Sequence, residues 1–193
     1  MASEATGGEL RLAGHFLIAM PGMLDVNFSE TLTLLCEHNA QGALGFVVNR
    51  PTELTLAELF EQQGVEFDPD SPVARQPLYA GGPVETERGF ILHSPERRWE
   101  ATMPVDEHFA ITASRDIIEA CARGEGPRHF LFLLGYAGWG PGQLEREMAE
   151  NAWLSTPADP RIVFELPPAE RWQAAARQMG IDLTLLNPDA GHA

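Results

Sequence analysis

The chain has 193 residues, 44% hydrophobic and 21% charged, with 13 Lys plus Arg against 28 Asp plus Glu and a formal charge of −15. That apolar content supports a sizeable core and excludes a disordered chain. The negative surface repels phosphate backbones, whose neutralisation drives most nucleic-acid affinity.

No run approaches the roughly 20 apolar residues of a membrane helix. The opening MASEATGGELRLAG has neither the basic nor the apolar segment of a signal peptide. A cytoplasmic protein with no direct nucleic-acid partner and no membrane partner is therefore expected. Cys36 and Cys121 lie in no CxxC or CxxH pattern, so no structural zinc site is legible and two free thiols are expected.

Residues 1–9 read as a loose tail, 10–187 as one domain and 188–193 as a second tail. Gly14–Ala19 reads as a strand stopped by MPGM, and Thr31–His38 and Ala43–Asn49 as a hairpin closed by the four-residue loop NAQG. Thr55–Gly64 has the pattern of a short amphipathic helix, with Thr55 and Glu58 as a capping box. Val65–Arg75 is a Pro/Asp-rich connection. Strand signals return at Leu78–Gly81, Gly89–Ser94 and Phe109–Ala113. Ser114 then caps the helix RDIIEACARG, in which Ile117, Ile118 and Cys121 share a face.

The apolar run His129–Gly135 predicts a central strand buried on both faces. The Gly-rich turn GYAGWGPG leads into the helix QLEREMAENAW, followed by a strand at Arg161–Glu165 and a helix at PPAERWQAAARQMG. Early hairpins and late β–α–β units argue for one compact α+β (mixed α/β) domain.

Several blocks together resemble the YqgE/AlgH family of bacterial proteins. They are HFLIAMPGMLDVNFSETLTLLCEHNAQGALGFVVNRP, GGPVETERGFILH, SRDIIEA, LGYAGWGPGQLEREMAENAWL and RW..AA...GID, in the family's order and covering nearly the whole chain. The resemblance implies a branched mixed sheet with a small barrel-like portion surrounded by helices. It implies no accepted active site. The transcriptional-regulator label attached to the family descends from a genetic effect on alginate production, not from an operator-binding residue set.

Three constellations carry possible chemistry. In CEHN, alternation along the strand puts Cys36 and His38 on one face and Glu37 on the other, with Cys36 opposite Gly45. A nucleophilic or redox-sensing Cys36 assisted by His38 is one reading. Strand residues i and i+2 stand roughly 6–7 Å apart, too far for a direct thiol–imidazole bond. A buried thiol acting as a small hydrophobe is the favoured one.

Asp25, Asn49, Arg50, Gly82, Arg88 and His93 sit on loops, turns and strand ends, and are candidates to rim a small-molecule or anion pocket. GYAGWGPGQLE is neither GxGxxG nor GxxxxGK[ST], so it marks a structural turn in which Tyr136 and Trp139 pack over strands, and no cofactor is indicated. His15, His38, His93, His108 and His129 are dispersed, with no metal-ligand spacing.

Three functions follow. The first is a regulatory protein, more binding module than enzyme, acting through a protein or small-molecule partner. The second is a thiol-dependent redox sensor or enzyme at Cys36 and His38. The third is a small-molecule- or anion-binding domain.

Overall fold

The computed structural model describes residues 11–186; the two expected tails lie outside them. The hydrophobic runs form strands β1 (His15–Ala19), β2 (Leu32–Asn39), β3 (Gly42–Val47), β4 (Pro51–Thr55), β5 (Pro77–Ala80), β6 (Val84–His93), β7 (Thr102–Pro104), β8 (Ala110–Thr112), β9 (Phe130–Trp139) and β10 (Trp153–Pro157). The helices are α1 (Leu56–Gln62), α2 (Arg115–Ala122), α3 (Gln143–Ala149), α4 (Pro160–Phe164) and α5 (Pro168–Gln178). They form one α+β domain, a curled and largely antiparallel sheet with helices on both sides. The strand order is β10-β1-β2-β3-β9-β6-β8-β7, with β5 on β9 and β4 on β5.

Strand β9 is the axis of the molecule. One of its edges carries β6. The other pairs in parallel with β5 at Leu133 and Leu134, then antiparallel with β3 from Ala137 to Trp139. This change of partner is the branch in the sheet. At it, Gly81 N–H donates to the Leu134 carbonyl and Val47 N–H donates to the Gly81 carbonyl.

The junction has no room for side chains. A Cβ on Gly82 would overlap the Tyr136 carbonyl, and one on Gly135 would lie 2.5 Å from the Gly82 oxygen. Gly135 also holds φ at 75°, which L-residues with a Cβ adopt at a cost.

Three apolar clusters flank this axis. Inside the curl, Phe16, Leu34, Phe46, Leu92 and Leu133 pack against Val163, Ala175 and Ala176 of α4 and α5. On the opposite face of β6 and β9, Ile91 and Phe132 meet Phe60 of α1 and Ile117 and Cys121 of α2. A third group joins Leu17, Leu35, Trp139 and Trp153 with Leu144 of α3. Phe46 and Phe90 meet at 5.0 Å between ring centroids. Burying each such side chain stabilises the fold by roughly 1.5–3 kcal/mol.

The expected capping box is present: Glu58 N–H donates to Thr55 Oγ1, and Thr55 N–H donates to the Glu58 carboxylate. Ser114 occupies the N-cap of α2 but does not bond its backbone; its hydroxyl donates to Asp116, which accepts the Ile117 N–H.

Four expectations are corrected. Arg161–Glu165 is not a strand but lies largely in α4, because Asp159 accepts the Arg161 N–H and Pro160 starts a helix. The supposed Gly-rich turn is mostly strand: Gly135 to Trp139 continue β9, since glycine lets it bend without ending. Helix α3 stops at Ala149, and Trp153 already belongs to β10. The hairpin loop is tighter than four residues, for Asn39 pairs with Gly42 across Ala40 and Gln41.

The branch should be the fold's most sensitive point. Gly135→Ala should destabilise the protein by more than ~2 kcal/mol in urea unfolding, from positive φ and overlap together. At Gly89 of β6, opposite Leu134 of β9, a Cβ meets nothing within 4 Å, so Gly89→Ala should change stability by less than ~1 kcal/mol. Equal losses at the two positions would contradict this account of the branch.

Candidate functional site

The CEHN segment lies at a β-bulge. Leu35, not Cys36, is opposite Gly45, and the register shifts before Glu37 pairs with Leu44 and His38 with Ala43. Cys36 is the extra residue. A bulge resets the alternation, so the expected sharing of one face by Cys36 and His38 does not hold. The Cys36 side chain joins the cluster of Leu32, Leu34 and Phe46. His38 turns to the other side: Nδ1 accepts the Leu12 N–H at 3.1 Å and Nε2 donates to Glu145 Oε1 at 2.5 Å.

Burial pushes the Cys36 thiol far above the ordinary thiol range, with the nearby charges of Asp106 and Glu37 adding to it. Burial alone pushes Cys121 up to about 12. Burial thus disfavours the thiolate, the reactive form, at both positions.

His38 and the start of α3 form a structural clasp. The hydrogen bond from His38 is the chief cause that holds Glu145 below the usual carboxylate range. Two residues further on, Glu147 accepts the indole N–H groups of Trp139 and Trp153 and the Gln143 side-chain amide. Both carboxylates thus bind α3 to the sheet, consistent with a structural role for GYAGWGPGQLE.

The six pocket candidates are dispersed. Asn49 accepts the Leu32 N–H and donates to the Glu30 carbonyl. The Arg50 guanidinium donates to the carbonyls of Asn27, Val26 and Ser29. Asp25 accepts the Asn27 N–H within the same loop. These three residues hold residues 25–30 in place. Gly82 belongs to the sheet branch.

His93 is fully buried at the end of β6. Its Nδ1–H donates to the Ser94 carbonyl at 2.8 Å, so Nε2 accepts the Thr112 hydroxyl at 2.7 Å. Thr112 in turn accepts from Thr102, whose oxygen accepts the Trp99 N–H. Desolvation lowers the His93 pKa, against weaker opposing effects from Ser94 and Glu96.

Arg88 alone of the six lines a cleft of about 720 Å³. Its origin is local. Between Val84, which pairs with Tyr136, and Gly89, which pairs with Leu134, the register shifts, so residues 85–88 of β6 bulge away from β9. Its apolar lining is Ile91, Phe132 and Leu134 of the sheet with Leu59 of α1 and Ile118 of α2; Ile91 and Phe132 are themselves buried, and Thr86, Glu87 and Arg88 are exposed polar residues of the lining. The Arg88 guanidinium stands 5.0 Å over the Phe90 ring and 3.4 Å from Glu85.

Most of the lining residues are ordinary core formers, so only the turn-rich GGPVETER before GFILH hinted at the opening. Among the described residues, no three His, Cys, Asp or Glu side chains are grouped to hold a metal, and no helix is long and apolar enough to cross a membrane.

Two measurements check these placements. In the native protein Cys36 should react with iodoacetamide more slowly than a free cysteine thiol; labelling faster than the free thiol would restore the nucleophile reading. Burial disfavours the charged form of His93 in the folded protein, whereas in the unfolded chain it titrates near the ordinary value of about 6.5. The unfolded state therefore binds more protons below that pH, and stability should decline as pH falls from about 7 towards 5. His93→Gln should flatten that decline; an unchanged slope would remove His93 as its source.

The comparisons with known proteins agree with this architecture. The family profile described as AlgH-like matches residues 16–184. A UPF0301 protein of Thioalkalivibrio sulfidiphilus is 57% identical over 179 residues, covering 93% of this chain and 95% of the relative. One from Methylococcus capsulatus is 53% identical, covering 94% and 96%. The solution structure of the AlgH protein from Pseudomonas aeruginosa superposes with a TM-score of 0.77 at 49% identity over the whole of both chains. A Corynebacterium diphtheriae protein, DIP2367, shares the fold with a TM-score of 0.73 at 19% identity over 93% of each. The chain belongs to the AlgH-like family.

Proposed function

We propose that this protein is a cytoplasmic, non-enzymatic binding protein whose regulatory effect passes through an amphipathic small molecule held in the cleft between α1, α2 and β6. The cleft itself carries the reading. Its volume of about 720 Å³ lies within the range of small-molecule sites, and an apolar floor with a few polar groups at the rim is their usual composition. Arg88 supplies a positive group at the mouth, where a ligand's acid could displace Glu85. That exposed pair is weak and easily exchanged.

The thiol-centred alternative has less support, with Cys36 buried and turned away from His38. Direct DNA reading has less still, since the charge of −15 opposes it.

A thermal-shift screen of medium-chain fatty acids, aromatic carboxylates and nucleotides tests the proposal. A ligand present at 100 times its Kd adds ~2.7 kcal/mol, or roughly 5–10 °C for a domain of this size. Ile118→Trp, which fills the cleft, should abolish the shift while leaving the unliganded protein folded. A shift that persists unchanged in that variant, or no shift with any probe, would overturn the assignment.

A further inference from the structure

A second pocket lies on the opposite face of the sheet. Along β5 and β9 the side chains alternate. Leu78 and Phe132 face the cleft, whereas Tyr79 and Leu131 face the interior of the curl, where α4 and α5 pack. There, Arg171 of α5 is buried with 4% of its surface exposed. It sits in the helix's apolar stripe, one turn before Ala175 and Ala176. A guanidinium carries five N–H donors. Two are taken, by the Leu166 carbonyl at 3.0 Å and the Val48 carbonyl at 2.6 Å. The others have no carbonyl or carboxylate acceptor among the described residues.

No acidic side chain lies within 4.0 Å of Arg171 among the described residues, although the chain has 28 acidic groups. Its charge is offset by carbonyl dipoles and by Tyr79, whose side chain favours the charged guanidinium and whose ring lies 5.2 Å from the guanidinium carbon. Burial of an uncompensated charge is costly.

Arg171 lines a pocket of about 230 Å³. Its mouth holds Arg128 and His129, both exposed, and the His129 ring stacks on Phe164 at 5.5 Å and 20°. Gln76 adds an amide, and none of the lining residues is acidic. Two arginines and a histidine around one small cavity run against the charge of the whole molecule. The volume is below that of a typical site for a drug-sized ligand, so the fitting ligand is small.

We propose that this pocket binds a small oxyanion, the phosphate or carboxylate group of a small metabolite, with Arg171 as the buried anchor and Arg128 and His129 at the mouth. The planar guanidinium fork matches either group in a bidentate arrangement, which a lysine ammonium does not. The assignment is independent of the cleft, and Ile118→Trp should leave it intact.

The test is a 1H–15N titration of the full chain with sodium phosphate and with sodium acetate, each against sodium chloride at matched ionic strength. Phosphate, acetate or both should give saturable shifts at the amides of Gln76, His129 and Leu131 that chloride does not give. Saturation by only one of them identifies the group recognised. Arg171→Lys should raise the midpoint at least tenfold, and Arg128→Gln several-fold. Arg128 is exposed, so its variant folds and decides the matter even where the Arg171 variant does not. Shifts no larger than those in chloride, or midpoints unchanged in the folded variants, would overturn the proposal.

Discussion

Strand β9 can exchange β5 for β3 along one edge because three backbones meet at Gly81, Gly82 and Gly135 with no side chains between them. A backbone carbonyl at such a junction must still find a donor. Gly81 meets that demand by donating to Leu134 and accepting from Val47, so it bonds both sheet branches. The branch then dictates the layers. The inner curl takes Phe16, Phe46 and Phe90 with α4 and α5, and the outer face takes α1 and α2. Where β6 departs from β9 to pass the junction, the outer layer does not close, and the cleft is what remains.

The bulge at Cys36 is a second backbone decision with consequences for chemistry. One additional residue in β2 turns the thiol into the core and the imidazole towards α3. A thiol and an imidazole two positions apart would otherwise invite a catalytic interpretation. Instead the two groups serve different layers, Cys36 as a packed apolar group and His38 as the link between Leu12 and Glu145.

The sequence showed most of the elements, because their signals are local. Short apolar and β-branched runs bounded by turn residues announced β1 to β3, and Thr55 with Glu58 announced α1. What it concealed was non-local. Pro51–Thr55 is a short strand whose partner β5 lies beyond α1, and Trp153–Pro157 became a strand by pairing with the distant β1. Asp159-Pro160 carried a readable helix start, outweighed by the β-branched Ile162 and Val163 that follow. Of the site, Arg88 was legible as a turn cation. Arg171 was not, although an arginine spaced to fall among the alanines of an apolar helical stripe is the pattern that would have shown it. Asn49 and Arg50 looked like pocket residues because a sequence does not reveal that neighbouring carbonyls already occupy them.

The hydrogen-bonded chain through His93 has one allowed arrangement of protons. Trp99 N–H gives to Thr102, Thr102 to Thr112, Thr112 to Nε2, and Nδ1–H to the Ser94 carbonyl. One end is a peptide nitrogen that keeps its proton and the other a carbonyl that takes none. It is a wire closed at both terminals: it conducts nothing, and its fixed polarity locks the short strands β7 and β8 to β6.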